Sequence, residues 1–302
     1  MMGSRRRWGM VAVTCAVVVG SGCCRQVRHY PVPGTSVLLA AVRGRNRAVE
    51  TLRAKVTADQ MTRKGRLKLN VFLLVGLGGR LRMEATVLDN TVAALASDGQ
   101  AFSSVDFKHR IAYTGPAKAC NVARIFNIPL DAEHVALVLL GGIPVLTHDL
   151  MTLHWDRCHG REVLLLVNRA RGLRQEIRIR RKGSGWRIEG SRIRNRAGKT
   201  LIEVQYKKFR HRKGSWIPTW VRYLQPGRKA DLLLRYKKIE PGVHFPDAAF
   251  RLNLPTGFPK RFLDCTESEG VPFERVQAKD RPAQVREGTT AGATGHVEED
   301  SW

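Results

Sequence analysis

Residues 148–159 carry the densest set of reactive side chains: His148-Asp149, four further residues, then His154-Trp155-Asp156-Arg157-Cys158-His159. Imidazole, carboxylate and thiol are the donors that hold transition metals. Their spacing matches neither H-E-x-x-H nor C-x-x-C. The segment therefore reads as a polar helix–strand connection, and no metal or other cofactor is expected. Gly76-x-Gly78-Gly79 has the composition of a phosphate loop, but no helix follows to aim N–H groups at an anion. Ser97, Ser103 and Ser104 lack a nucleophile motif such as G-x-S-x-G. No nucleophile–base pair stands out, and catalysis is not expected.

The start of the chain is more informative. Arg5, Arg6 and Arg7 form a basic segment. An apolar run from Met10 to Val19 follows, then Gly20-Ser21-Gly22 and Cys23. That is the layout of a secretory signal over residues 1–22. The run is too short to cross a hydrocarbon core, which takes ~20 residues. Small residues before a cysteine resemble the bacterial lipobox, although Gly20 stands where an aliphatic residue is usual. The resemblance implies cleavage before Cys23 and lipid on its thiol. Residues 23–35, with Pro31 and Pro33, then read as a tether. Arg25 is not the aspartate that often signals inner-membrane retention, so an outer-membrane anchor facing the periplasm is expected.

Beyond the signal and Cys23, the cysteines are Cys24, Cys120, Cys158 and Cys265. Export puts them in an oxidising compartment. One bridge among Cys120, Cys158 and Cys265 is open to them, and spacing does not choose it.

The 302 residues carry a formal net charge of +26 and are 43% hydrophobic. The length suits one large domain or two small ones. Excess cation serves nucleic acid or an anionic lipid surface, or simply solvates the outer faces of strands. Export and the lack of a nucleic-acid motif exclude the first from expectation.

Strand patterns dominate the middle of the chain. Ser36 is placed to cap a helix from Val37 to about Thr51. Leu67, Leu69, Val71 and Leu73 then alternate with polar residues, as do Leu81, Met83, Ala85 and Val87 across the Gly76–Gly79 turn. Val92–Ala96 and a hairpin of Ala101–Val105 with Arg110–Tyr113 extend an antiparallel meander. Helices are predicted over Asn121–Ile125 and Ala132–Leu140, the second capped by Asp131. Strands resume at Glu162–Asn168, Leu173–Arg181, Gly185–Ile193, Thr200–Phe209, Trp216–Gln225 and Ala230–Ile239. Phe250, Leu252 and Leu254 form a last alternation, and residues 266–302 read as a disordered tail. The expectation is a mainly β (α+β) protein with a single domain over residues 36–265.

This order resembles the Lol-type (LolA/LolB-like) lipoprotein carriers and uncharacterised lipoproteins related to them. Short phrases carry the likeness: Gly79-Arg80-Leu81-Arg82-Met83-Glu84, Leu95-Ala96-Ser97-Asp98-Gly99, Tyr113-Thr114-Gly115-Pro116-Ala117, Asn121-Val122-Ala123-Arg124-Ile125 and Ile128-Pro129-Leu130. It implies an open, strongly curved antiparallel half-barrel covered by helices, with an acyl chain or lipoprotein as ligand. The inward residues would be Leu69, Val71, Leu81, Met83, Ile177, Ile179, Val204 and Tyr206, with Leu137 and Leu140 on a lid. The same faces would serve a structural or interaction lipoprotein whose hollow is plugged by its own helices. A basic envelope protein binding polyanions is the remaining alternative. Receptor-type members insert a protruding leucine loop into membrane. The matching turn here, Leu88-Asp89-Asn90-Thr91, is short and is expected only to close a hairpin.

Overall fold

The computed structural model describes residues 26–62, 65–126, 128, 130–265 and 271–276. The signal, Cys23 and Cys24 lie outside them, as do residues 266–270 and 277–302 of the expected tail. Three helices, α1 (Thr35–Ala48), α2 (Ala119–Phe126) and α3 (Ala132–Leu139), accompany one large sheet. Its first strands are β1 (Thr51–Thr62), β2 (Gly65–Gly76), β3 (Arg80–Val87), β4 (Asn90–Asp98), β5 (Ala101–Asp106) and β6 (Ile111–Pro116). After the helices come β7 (Leu150–Asp156), β8 (Arg161–Asn168), β9 (Leu173–Lys182), β10 (Gly185–Arg194), β11 (Thr200–Arg212), β12 (Ser215–Gln225), β13 (Ala230–Pro241) and β14 (Lys260–Phe262).

The strand order is β14-β6-β5-β4-β3-β2-β1-β13-β12-β11-β10-β9-β8-β7. Two antiparallel meanders are joined where β1 pairs with β13, Leu52 opposite Pro241 and Ala58 opposite Leu234. Only β14, parallel to β6, departs from antiparallel pairing. The end strands β14 and β7 do not pair, so the sheet is open. Inward residues from β5 at one side to β7 at the other join a single apolar cluster with α1 and α3. The sheet must curl around the helices to bring them together, which makes it a half-barrel. Register shifts leave an extra residue in β13, β4, β10 and β11, at Lys237, Val92, Glu189 and Leu201, and mark the bends.

Several boundaries differ from the sequence reading. The first helix begins at Thr35 with Gly34 as its cap, and Ser36 makes no capping bond. It ends by Ala48, because residues from Thr51 are taken up by β1, a strand the periodicity missed. Small Ala54 and Ala58 weaken its inward alternation, and Thr57 and Asp59 on its other face are also buried. The polar segment 148–159 is mostly strand β7, with Met151 and Leu153 packed inward. Phe250 belongs to a short 3₁₀ turn, Asp247–Phe250, that packs on the outer side of β3 and β4. Asp131 caps α3 as expected, accepting the His134 N–H at 2.8 Å.

Both chain ends are held more closely than a tether and a tail. The Gln26 N–H donates to the Arg157 carbonyl at 2.8 Å. Arg28 makes a two-pronged pair with the fully buried Glu162, at 2.7 and 2.8 Å. Tyr30 meets Trp155 and Trp186 edge-on, with centroids at 6.1 and 5.6 Å. Beyond the expected end of the domain, Phe273 bridges to Leu146, and Glu274 pairs with Arg43 at 2.8 Å. Residues 271–276 are therefore docked, correcting that part of the expected tail.

Cys120 in α2 is bonded to Cys265 just after β14, across 145 residues. Closing so long a loop restricts the unfolded chain strongly. Replacing both with serine is expected to lower stability by about 2–5 kcal/mol, read from urea unfolding without reductant. Reductant should bring the wild-type midpoint to that of the variant.

Candidate functional site

The concave wall is built by strand alternation. Ala54, Val56 and Ala58 of β1, Leu73 and Val75 of β2, and Leu81 of β3 point inward. From the other meander come Ile177 and Ile179, Ile202, Val204 and Tyr206, Val221 and Tyr223, and Leu234 and Tyr236. Leu38, Leu39 and Val42 of α1, Val135, Val138 and Leu139 of α3, and residues 140–145 fill the space between.

Leu81, Ile177, Ile179, Val204 and Tyr206 are thus buried in the wall. Leu69, Val71 and Met83 are only half-buried against it. Leu140 belongs to the lid that fills the hollow. Leu137, although buried, lies within the lid itself: a Cβ on Gly142 would come 2.5 Å from its Cδ1.

The end of α3 and the irregular segment 140–146 bring backbone polar groups into an apolar hollow, where each needs a partner. Side chains supply them. Asn46 donates to Ile143 O and accepts from Ile143 N–H, both at 2.8 Å. Tyr206 donates to Val138 O at 3.1 Å and also reaches Gly142 O. Tyr236 donates to Leu139 O at 2.9 Å, and Arg45 to Leu140 O at 2.7 Å. Gln175 donates to Pro144 O and accepts from Leu146 N–H, both at 2.7 Å. Burial pushes the Tyr206 hydroxyl well above its ordinary value and the Arg45 guanidinium below its own.

The opposite part of the lid enters as apolar plugs. Ile128 and Leu130 face Val135, Val138, Leu139, Val221, Tyr223, Leu232 and Leu234 around a crevice of ≈ 30 Å³. That is close to the room needed for one water. The Tyr223 hydroxyl is buried without a hydrogen-bond partner among the described residues, and burial raises its pKa. Leu232, Leu69, Val71 and Met83 continue this apolar surface toward one open end of the strands.

The sequence reading missed Asn46, Gln175, Tyr223 and the Ile128–Leu130 plugs. Asn46 had a signal, since it lies at i+4 from Val42 on the buried stripe of α1. Gln175 had one too, as a polar residue in phase with inward Ile177 and Ile179.

The other reactive residues do not converge. Among the described residues no group of three or more His, Cys, Asp or Glu is placed to hold a metal. His148 bonds Leu146 O, whereas His159 pairs with Asp156 in the exposed β7–β8 turn. Ser97 is buried, its hydroxyl accepting the Gly99 N–H. Gly79 serves packing: a Cβ there would lie 2.9 Å from Glu133 N and 3.0 Å from Gly99 Cα. Leu88 closes the β3–β4 hairpin and also projects from it. It is 89% exposed at φ 48°, with Asp89 at φ 63°. That backbone region ordinarily favours glycine or asparagine. No helix of the described residues is long and apolar enough to cross a membrane.

No family model matches the sequence, and no curated protein matches it. Solved structures do. The chain is similar to a DUF1329 family protein from Desulfovibrio piger, at a TM-score of 0.49 and 10% identity, over 73% of this chain and 98% of that one. It is similar to a LolA superfamily protein from Nitrosomonas europaea, at 0.48 and 11%, over 73% and 99% of the two chains. A putative outer membrane lipoprotein-sorting protein domain from Vibrio parahaemolyticus gives 0.45 and 10%, over 72% and 95%.

One titrating pair sits at the entrance to α3. The His134 ring lies 2.7 Å from Asp131, 3.4 Å from Glu274 O and 4.8 Å from the Phe273 centroid. Burial opposes its charge, but Asp131 outweighs it and holds the imidazole above its ordinary 6.5. Burial likewise opposes the Asp131 charge, and His134 holds that carboxyl below its ordinary 3.8. The pair's contribution is complete between those two values. It fades as pH rises through the raised histidine pKa or falls through the lowered aspartate pKa. Thermal melts should therefore lose stability as pH rises above 6.5, and His134→Gln should remove that part of the slope.

Proposed function

We propose that this is a non-enzymatic, lipid-anchored envelope protein that binds an acyl chain, free or on a lipoprotein, in the mouth of its half-barrel. The observation that carries the reading is the crevice beneath Ile128 and Leu130. Its walls are apolar, and one lining residue, Tyr223, carries a buried hydroxyl with no partner among the described residues. An aliphatic chain suits such walls. An ester or carboxyl oxygen would accept a hydrogen bond from that hydroxyl.

Ligand sites usually enclose about 300–1,000 Å³, so the ≈ 30 Å³ crevice must open before a chain enters. Hydrogen bonds clamp residues 138–146, which leaves Ile128 and Leu130 as the displaceable part. Their burial is worth about 3–6 kcal/mol together. A chain burying roughly eight methylenes, at about 0.8 kcal/mol each, matches it. The anchor is the lipid on Cys23, in the outer membrane facing the periplasm, only three residues before pinned Gln26. The closed hollow favours one second reading, an interaction lipoprotein permanently plugged by its own lid.

Native mass spectrometry of the purified protein with added acyl esters separates the two. Uptake is expected, weakened about 2–12-fold in Tyr223→Phe by loss of one neutral hydrogen bond, without loss of folding stability. A folded wild type that takes up neither lipid nor lipoprotein would establish the plugged reading. For the anchor, labelling with a palmitate analogue is expected in wild type and absent in Cys23→Ser. Equal labelling of the two would remove that site.

A further inference from the structure

Alternate hairpins of an antiparallel meander end on the same side. The β7–β8, β9–β10 and β11–β12 turns therefore share one rim of the half-barrel. Contacts tie them together: Arg180 donates to Gly160 O across to the first turn, and Lys182 lies over the Trp216 ring at 6.0 Å. The rim is basic without relief. Residues 157–160, 180–187 and 210–216 contain eight lysines and arginines and no acid, and no Asp or Glu occurs between Glu203 and Asp231. Arg157, Arg181, Lys182, Arg210, Arg212 and Lys213 are exposed there. Asp156 and Glu189 border the rim but are already held by Arg161 and Arg180. Beyond Lys213 the edge becomes mixed in sign, with Glu50, Asp98 and Asp247 lining the neighbouring groove.

Two further observations say what this rim meets. Half-buried Trp216, beside the β11–β12 turn, lies against the cation of Lys182. Indole beside lysine is the pairing found at membrane–water interfaces. The N-terminal segment also leaves from this rim, since Gln26 is bonded to Arg157. Three extended residues from Gln26 to Cys23 reach only about 10 Å. The Debye length in physiological salt is about 8 Å, so an anchored chain keeps the rim within range of lipid charge.

We propose that the rim formed by the β7–β8, β9–β10 and β11–β12 hairpins docks on the anionic phospholipid headgroups of the membrane that holds the anchor. The orientation rests on the anchor at Cys23, whereas the headgroup contact does not need it. Co-sedimentation of full-length Cys23→Ser protein with vesicles therefore tests it separately. Binding is expected to phosphatidylcholine vesicles containing phosphatidylglycerol, to fall with salt, and to be absent with phosphatidylcholine alone. Changing Lys182, Arg210, Arg212 and Lys213 to glutamine should weaken it at least about 10-fold. The same change at Arg196, Lys199, Arg228 and Lys229, in turns at the other end, removes equal charge and should have little effect.

Equal loss in both sets would reduce the rim to general charge and overturn the proposal. So would loss in Leu88→Glu with binding kept in the rim set, because Leu88 lies at the opposite end. Salt-insensitive wild-type binding, or equal binding to dextran sulfate, would overturn it even if the rim set folds poorly. None of these results bears on palmitate labelling at Cys23 or on acyl uptake, so the two readings fail separately.

Discussion

A single curved sheet with an apolar concave face has no second sheet to cover it, and the rest of the molecule answers that constraint. α1 and α3 supply regular cover, but they do not fill a hollow spanned by strands from both meanders. Residues 140–146 complete it as irregular backbone, which hydrocarbon surroundings tolerate only when every N–H and C=O is matched. The strands of the wall and the buried face of α1 are therefore not uniformly apolar. Asn46, Gln175, Tyr206 and Tyr236 stand at inward positions that patterning alone would fill with leucine, and each meets a backbone group of the lid. Tyr223 also stands inward and meets none. That contrast separates the fixed part of the lid from the part that can yield.

The outer face solves a different problem, the excess of cation over acid. Its carboxylates are shared among several arginines. Glu203 lies between Arg178 and Arg192, and Glu189 contacts Arg161, Arg180 and Arg187. Asp59 serves Arg66 and Arg235. Burial raises the Glu203 pKa, but Arg192, Gln205 and Arg178 outweigh it and hold the carboxyl below its ordinary 4.5. Across the pleat these groups stabilise the sheet as cross-strand pairs. The β7–β8, β9–β10 and β11–β12 turns contain no acids to share, so unbalanced cation accumulates at that end of the sheet.

Much of this architecture was legible in the sequence. Ile177 and Ile179 against Arg178 and Arg180 could hardly form anything but a half-exposed strand, and Asp131 announced α3. The failures share a cause: their determinants are non-local. β1 is stabilised on both edges by long strands, so it tolerates Ala54, Ala58 and a buried Asp59 that spoil its pattern. β14 is three residues long and exists through β6 and the Cys120–Cys265 bond, whose partners are 145 residues apart. The docked Val271–Val276 stretch depends on contacts such as Phe273 with Leu146, which leave no periodicity. The wall of the hollow could be read from alternation. An unpartnered hydroxyl could not, because satisfaction depends on what the lid brings opposite it.

The two ends of the half-barrel differ in a way that follows from strand direction. Glu162 and Trp155 lie at the rim end of the concave face, where Arg28 and Tyr30 close over them. This end is shut by the same segment that leads back to Cys23. At the other end Leu232 lies against Ile128 and Leu130, Leu69, Val71 and Met83 are only partly buried, and the β3–β4 turn places Leu88 nearby in sequence and strand order. Cover is thus strongest where the chain enters and weakest at the far end. A half-barrel opens most readily where the fewest polar partners must be broken, and that is away from the buried Arg28–Glu162 pair. If the rim rests on headgroups, the less covered end points away from the surface. The polarity needs no moving domain; it is set by which hairpin turns carry cations and which end of the apolar face the N-terminal segment covers.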